Sequence, residues 1–205
     1  MDNEINTFVK DQYRELPELN DEYLIANYCK SKSVIKRNNL IKNILLDAGL
    51  THSKCSEISR KLLINVIVPP GTKSTIRGNR FNDIIAKELL KNIKKQNLQL
   101  QREKKHSMFH EIPDWIITKN NKTLVGFNQI SLFGGGHQLN RGSKYILDDS
   151  LHRKLNKANI KMVCVVKDLP FNQKGKSYDI LLKGIQKKRL YCIGGLKKMC
   201  NDYFL

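Results

Sequence analysis

The chain has 205 residues, of which 40% are hydrophobic, and its 37 lysines and arginines stand against 19 acidic residues for a formal net charge of +18. That length suits one packed α/β core with a small accessory region, and a charge far beyond what solubility requires points to a polyanionic partner. No run of about 18 apolar residues is present to span a membrane, and the acidic opening segment MDNEINTFVKDQYRELPELNDEY lacks the apolar stretch of a secretory signal, so a soluble, cytoplasmic protein is expected.

Residues 1 to about 65 read as helical. Tyr23, Leu24, Ala26 and Tyr28 lead into Val34, Ile35, Leu40, Ile41, Ile44 and Leu45, an apolar stripe of helical period. Ala48-Gly49 makes a turn, Thr51 or Ser53 is the N-cap, and a short helix follows through Ile58, Leu62 and Leu63. The outline is that of a helix-turn-helix, but it is weakly specific and an ordinary helical hairpin is the favoured reading. Ile64 to Arg77, with Pro69-Pro70-Gly71, reads as a short strand and a loop.

From Gly78 to Leu98, Phe81, Ile84, Ile85, Leu89, Leu90 and Ile93 recur at helical spacing, with lysines on the other face, which predicts an amphipathic helix. QREKKHSMFHEI is polar and reads as a loop. Ile112 to Thr118 and Thr123 to Ser131 alternate around Asn120-Asn121, which predicts a β-hairpin. SKYILDDSLHRKLNKANI reads as a helix, Met162 to Val166 as a buried strand, Ser177 to Lys188 as a helix and Leu190 to Ile193 as a last short strand. The order predicts an α/β (α+β) fold, a mixed sheet flanked by helices. Residues 1–70 are expected to form a helical N-terminal region, serving dimerisation or clamping of a nucleic-acid partner, and residues 71–205 the core.

The five cysteines, Cys29, Cys55, Cys164, Cys192 and Cys200, are never paired as CxxC, which fits reduced thiols and argues against disulfides and zinc. No basic helix with an aromatic face is evident, so nucleic acid is favoured over an anionic membrane surface. Lys91, Lys94-Lys95, Lys104-Lys105, Lys187-Lys188 and Lys197-Lys198 read as solvated faces that add salt-sensitive, non-specific affinity. His106, His110, Asn140 and His152 lack the compact spacing of a His-Asn-His metal finger.

The chemistry concentrates between Glu111 and Tyr145, EIPDWIITKNNKTLVGFNQISLFGGGHQLNRGSKY. Phosphodiester hydrolysis uses a metal to activate water and to offset charge on the phosphate, and magnesium takes a few oxygen ligands and keeps several waters. Asp114, behind Pro113 at the start of one strand, is placed to be the main ligand. Gln129 and Ser131 share a face of the next strand because side chains alternate. The glycines Gly134, Gly135 and Gly136 suit close approach of a ligand to the backbone. His137, Gln138, Asn140, Arg141 and Lys144 then gather donors in one segment, where glutamine and asparagine can read adenine and arginine guanine.

Pro113-Asp114, Gln129-Ile130-Ser131 and the glycine-rich LFGGGHQLNRGSKY resemble the PD-(D/E)xK nuclease superfamily, and within it the type II restriction endonucleases. The resemblance spans residues 78 to about 167 and implies a restriction-endonuclease-like core. It implies a magnesium-dependent endonuclease, with manganese a substitute and no other cofactor, cutting double-stranded DNA at a short sequence as a homodimer. Asp114 and Gln129 would bind metal, and Gly135, Gly136, His137, Gln138, Asn140, Arg141 and Lys87 would contact DNA. Two positions depart from the pattern: Gln129 replaces the second carboxylate, and Ser131 replaces the lysine that polarises the attacking water. Lys144, then Lys87, would replace that lysine, and Asp83 or Glu88 would supply the missing carboxylate. Two other readings remain open: a non-catalytic DNA-binding or regulatory protein, and a structure-selective nuclease of repair or recombination.

Overall fold

A tight turn joins two adjacent strands of the sheet. Asn120 adopts φ 52, a left-handed conformation that asparagine tolerates, and it joins β2 (Trp115–Lys119) to β3 (Lys122–Ser131) in antiparallel register, Thr118 opposite Thr123 and Lys119 opposite Lys122. The computed structural model describes residues 2–28, 30–94, 97–131, 137–169 and 175–205. Among these, the sheet has five strands in the order β1-β2-β3-β4-β5, with β1 spanning Gln99–Arg102, β4 Ile160–Asp168 and β5 Leu190–Tyr191. β1 pairs antiparallel with β2, whereas β3, β4 and β5 run parallel. The protein is therefore mixed α/β, with helices flanking a mixed sheet and a helical N-terminal region.

Parallel neighbours require crossovers. Between β3 and β4 the crossover is α6 (His137–Gly142), a wide π-helical turn (Ser143–Leu147) and α7 (Asp149–Lys157). The single helix expected there is broken at Asp148, whose side chain caps α7 by accepting the Leu151 N–H at 2.9 Å. Between β4 and β5 the crossover is α8 (Lys176–Gln186), and α9 (Leu196–Phe204) follows β5. The 99–102 segment, expected as helix end and loop, is instead the edge strand β1. Its sequence, QLQR, has too few apolar residues for an alternation to register.

Among the described residues, two apolar clusters contribute to the core around the sheet. One gathers Ile116, Val125, Phe127, Tyr145, Leu155 and Met162. The other joins Phe8 of α1 (Asp2–Gln12) to Ile146, Cys164, Val166, Ile180 and Leu190. The chain resolves into two compact units, residues 1–14 with 81–205, and residues 15–80. The boundary thus falls at residue 80 where residue 70 was expected, and α1 belongs with the sheet.

Residues 15–80 comprise α2 (Asp21–Tyr28), α3 (Lys32–Asp47), α4 (His52–Leu62), a wide turn (Leu63–Ile67) and the start of α5 (Pro70–Ile93). Gly49, at φ 84, makes the turn between α3 and α4, and Thr51 caps α4 by accepting the Lys54 N–H at 3.4 Å. Arg77 is ion-paired with Asp21 and donates to the Leu19 carbonyl at 3.2 Å. The strand expected after Ile64 is absent, because α5 starts earlier, with Pro69 accepting the Lys73 N–H and Pro70 in the first helical position. The stripe expected on α3 is only partly covered: Val34, Ile41 and Leu45 are half-buried, whereas Ile35, Leu40 and Ile44 are 48%, 60% and 57% exposed. No helix among the described residues is long and apolar enough to cross a membrane.

Candidate active site

Pro113 is buried and leads the chain into β2 at Asp114. The Asp114 backbone is held on both sides: its N–H donates to the Gly126 carbonyl at 3.1 Å, and its own carbonyl accepts the Glu103 N–H at 3.2 Å. Its carboxylate is held as firmly. Oδ1 accepts from Asn82 Nδ2 of α5 at 2.8 Å, and Oδ2 accepts the Asn128 backbone N–H at 2.6 Å. The Asn128 side chain completes a ring, donating to Asn82 Oδ1 at 2.9 Å and accepting from Trp115 Nε1 at 3.0 Å.

Gly126 makes this ring geometrically feasible. A Cβ there would lie 1.9 Å from the Trp115 indole, so only glycine lets the ring lie across β3 and deliver its N–H to Asn128. Burial pushes the Asp114 carboxyl above its ordinary range, against the opposing pull of the Asn128 and Asn82 donors and the Arg141 charge. Each carboxylate oxygen has accepted one hydrogen bond from these two donors and retains a further lone pair.

Asp114 lines a cavity of about 70 Å³ with Glu111, Gln129, Arg141 and Tyr145, and Ile112 and Phe127 supply its apolar surface. That volume accommodates a few water-sized groups. Gln129 is 7% exposed, and neither Oε1 nor Nε2 of its carboxamide has a hydrogen-bond partner among the described residues. A buried amide left in that condition costs about 1–3 kcal/mol. Phe127, two residues before Gln129 on the same face of β3, stacks on Tyr145 with centroids 4.1 Å apart and planes 11° from parallel. The stack directs the Tyr145 hydroxyl onto Glu111.

Glu111 also pairs with Arg141 at 3.2 Å and Lys144 at 3.4 Å. Burial raises its pKa, but the Tyr145 hydroxyl, Arg141 and Lys144 together hold the carboxyl below its ordinary range. Burial and the adjacent Glu111 push Tyr145 up, keeping it a neutral donor. Glu111 is therefore ionised and compensated.

The structure brings together Asp114, Gln129 and Arg141 of the expected residues, with Lys144 reaching the same site through Glu111. It does not bring the others. Ser131 is half-buried farther along β3, opposite Asp168 of β4, and is not part of the cavity wall. Asp83 pairs with Arg102 at 2.8 Å and Glu88 with Lys91 at 3.3 Å, so neither carboxylate lines the cavity. Lys87 is exposed on α5 and does not line it either. Asn140 is exposed on α6. His137 and Gln138 begin α6, with their side chains outside the described residues, as are Gly135 and Gly136 altogether.

Glu111, Asn82, Asn128 and Tyr145 are the residues sequence reasoning missed. For Glu111 a signal existed, a second carboxylate three positions before Asp114. Asn82 sits inside an apolar helical pattern that gives no hint of its partner. Among the described residues no cluster of three histidine, cysteine or carboxylate side chains is found. The oxygen donors here are two carboxylates and one amide, a hard set suited to magnesium or manganese and ill suited to zinc. No protein-family model matches the chain, and neither the curated proteins nor the solved structures contain a match.

Proposed function

We propose that the protein is a magnesium-dependent endonuclease that hydrolyses phosphodiester bonds of double-stranded DNA at a short sequence, acting as a cytoplasmic homodimer. One observation carries this reading: the buried carboxamide of Gln129, unpartnered among the described residues, shares a small cavity with the carboxylate of Asp114. An orphaned amide oxygen beside a carboxylate with lone pairs to spare fits a divalent cation that keeps waters of its own. Asp114 and Gln129 would hold it, and manganese would substitute. When bound, the metal supplies positive charge against the phosphate and a water of lowered pKa.

The remaining roles belong to the chain. Asn82 and Asn128 fix the Asp114 carboxylate, so that no reorganisation is needed when the ligand arrives. Arg141, which lines the cavity, and Lys144, joined to it through Glu111, offer two cations by which a phosphate would be held. The net charge of +18 raises the local concentration of duplex and contributes non-specific affinity. Ser131 at the position of the superfamily's lysine favours a second reading, a DNA-binding protein without cleavage.

The test is incubation of purified protein with plasmid DNA in magnesium and in EDTA, with Asp114→Ala in parallel. Discrete fragments that require both the metal and Asp114 support the nuclease. DNA left intact under magnesium and manganese, with a gel shift that persists in the variant, overturns cleavage and supports the second reading.

A further inference from the structure

We infer that Glu111 is the second carboxylate of the cation site, and that before a cation arrives it occupies Arg141 and Lys144 in the place of a DNA phosphate. The inference rests on the proposed reading of the cavity as a divalent-cation site. Glu111 and Asp114 line the same cavity, and the Gln129 carboxamide, 7% exposed and unpartnered among the described residues, lines it too. Two carboxylates and one amide make a more complete oxygen set than Asp114 and Gln129 alone.

The partners of Glu111 explain the second half. Its carboxylate receives Arg141 at 3.2 Å, Lys144 at 3.4 Å and the Tyr145 hydroxyl. A planar anion gripped by an arginine, a lysine and a hydroxyl is how a protein grips a phosphate. Arg141 and Lys144 are 57% and 47% exposed, so an external anion can reach both of them. Charge counting gives the exchange. Asp114 and Glu111 carry two negative charges, which one divalent cation neutralises. Arg141 and Lys144 then lose their internal counter-ion and become available to the DNA backbone. Cation and duplex are thus expected to bind cooperatively, and linkage makes the effect reciprocal.

The test measures two bindings separately, Mn²⁺ alone by electron paramagnetic resonance and a short fluorescent duplex by anisotropy. Glu111→Gln is expected to weaken Mn²⁺ by at least about tenfold. In EDTA the same variant is expected to bind duplex more tightly than wild type, with a salt dependence steeper by about 0.9 in log–log slope for each cation released. A purely structural role for Glu111 predicts the reverse, weaker duplex binding. Arg141→Gln with Lys144→Gln keeps the inference testable if Glu111→Gln misfolds, because removing both cations should tighten Mn²⁺. Unchanged Mn²⁺ affinity in Glu111→Gln, or in the double variant, overturns the inference. If Asp114→Asn still abolishes Mn²⁺ binding in that case, the site stands without Glu111. If wild type binds no Mn²⁺, the inference and the reading on which it rests fall together.

Discussion

Replacing Gly126 with alanine tests how the site is held. The added Cβ would sit 1.9 Å from two atoms of the Trp115 indole, and Trp115 is 1% exposed, so the ring has no free space into which to move. Overpacking of this kind costs about 1–3 kcal/mol. A displaced indole also gives up its 3.0 Å hydrogen bond to Asn128, worth about 1 kcal/mol. The sum, about 2–4 kcal/mol, lowers the melting temperature by roughly 5–15 °C for a chain of this size. Thermal unfolding by circular dichroism measures that loss, and fluorescence is equally specific because Trp115 is the sole tryptophan. Emission should shift to the red and Mn²⁺ affinity should fall, since Asn128 no longer holds the Asp114 carboxylate. Gly78→Ala is the control: nothing lies within 4 Å of its Cβ, and inside α5 it should gain about 0.8–1 kcal/mol. An alanine at Gly126 with the melting temperature and emission of wild type would refute the packing argument.

Other consequences are as direct. His152 is buried with Nε2 2.7 Å from the Tyr145 carbonyl, and burial lowers its pKa despite that hydrogen bond. The unfolded chain therefore binds a proton that the native state refuses, and stability should fall as pH drops below about 6.5, at no more than about 1.4 kcal/mol per pH unit. Denaturant titrations across that range should show a shallower pH slope for His152→Gln, and equal slopes would contradict the assignment. Cys55, Cys164, Cys192 and Cys200 are buried, and burial pushes the Cys192 and Cys200 thiols up to about 12. A thiol reagent should label these four only on unfolding, so more than one fast equivalent from native protein would count against their burial. On the proposed reading, duplex affinity should decline steeply with added salt, and a flat dependence would exclude the phosphate backbone as the main contact.

The sequence determined by itself the parts whose signal is local. The β2–β3 hairpin follows from alternation around Asn120-Asn121, the sheet-side half of α5 from apolar residues at helical spacing, and β4 from a continuous apolar run. That Asp114 and Gln129 would lie near each other was legible for the same reason, since adjacent strands of one hairpin must bring their ends together. Tertiary contacts decided the rest. β1 is a strand because β2 offers an open edge to a polar segment. α1 belongs to the sheet because Phe8 enters its core and Gln12 accepts the Cys192 N–H at 3.2 Å, 180 residues away. Asp83 and Glu88 stood on a predicted helix as candidate ligands, yet each meets a neighbouring cation instead. Glu111 lines the cavity instead, where Tyr145, carried by a wide turn after α6 and stacked on Phe127, donates to its carboxylate. Periodicity reports which face of an element is buried, but the partner it meets there depends on packing between distant segments, which no local pattern encodes.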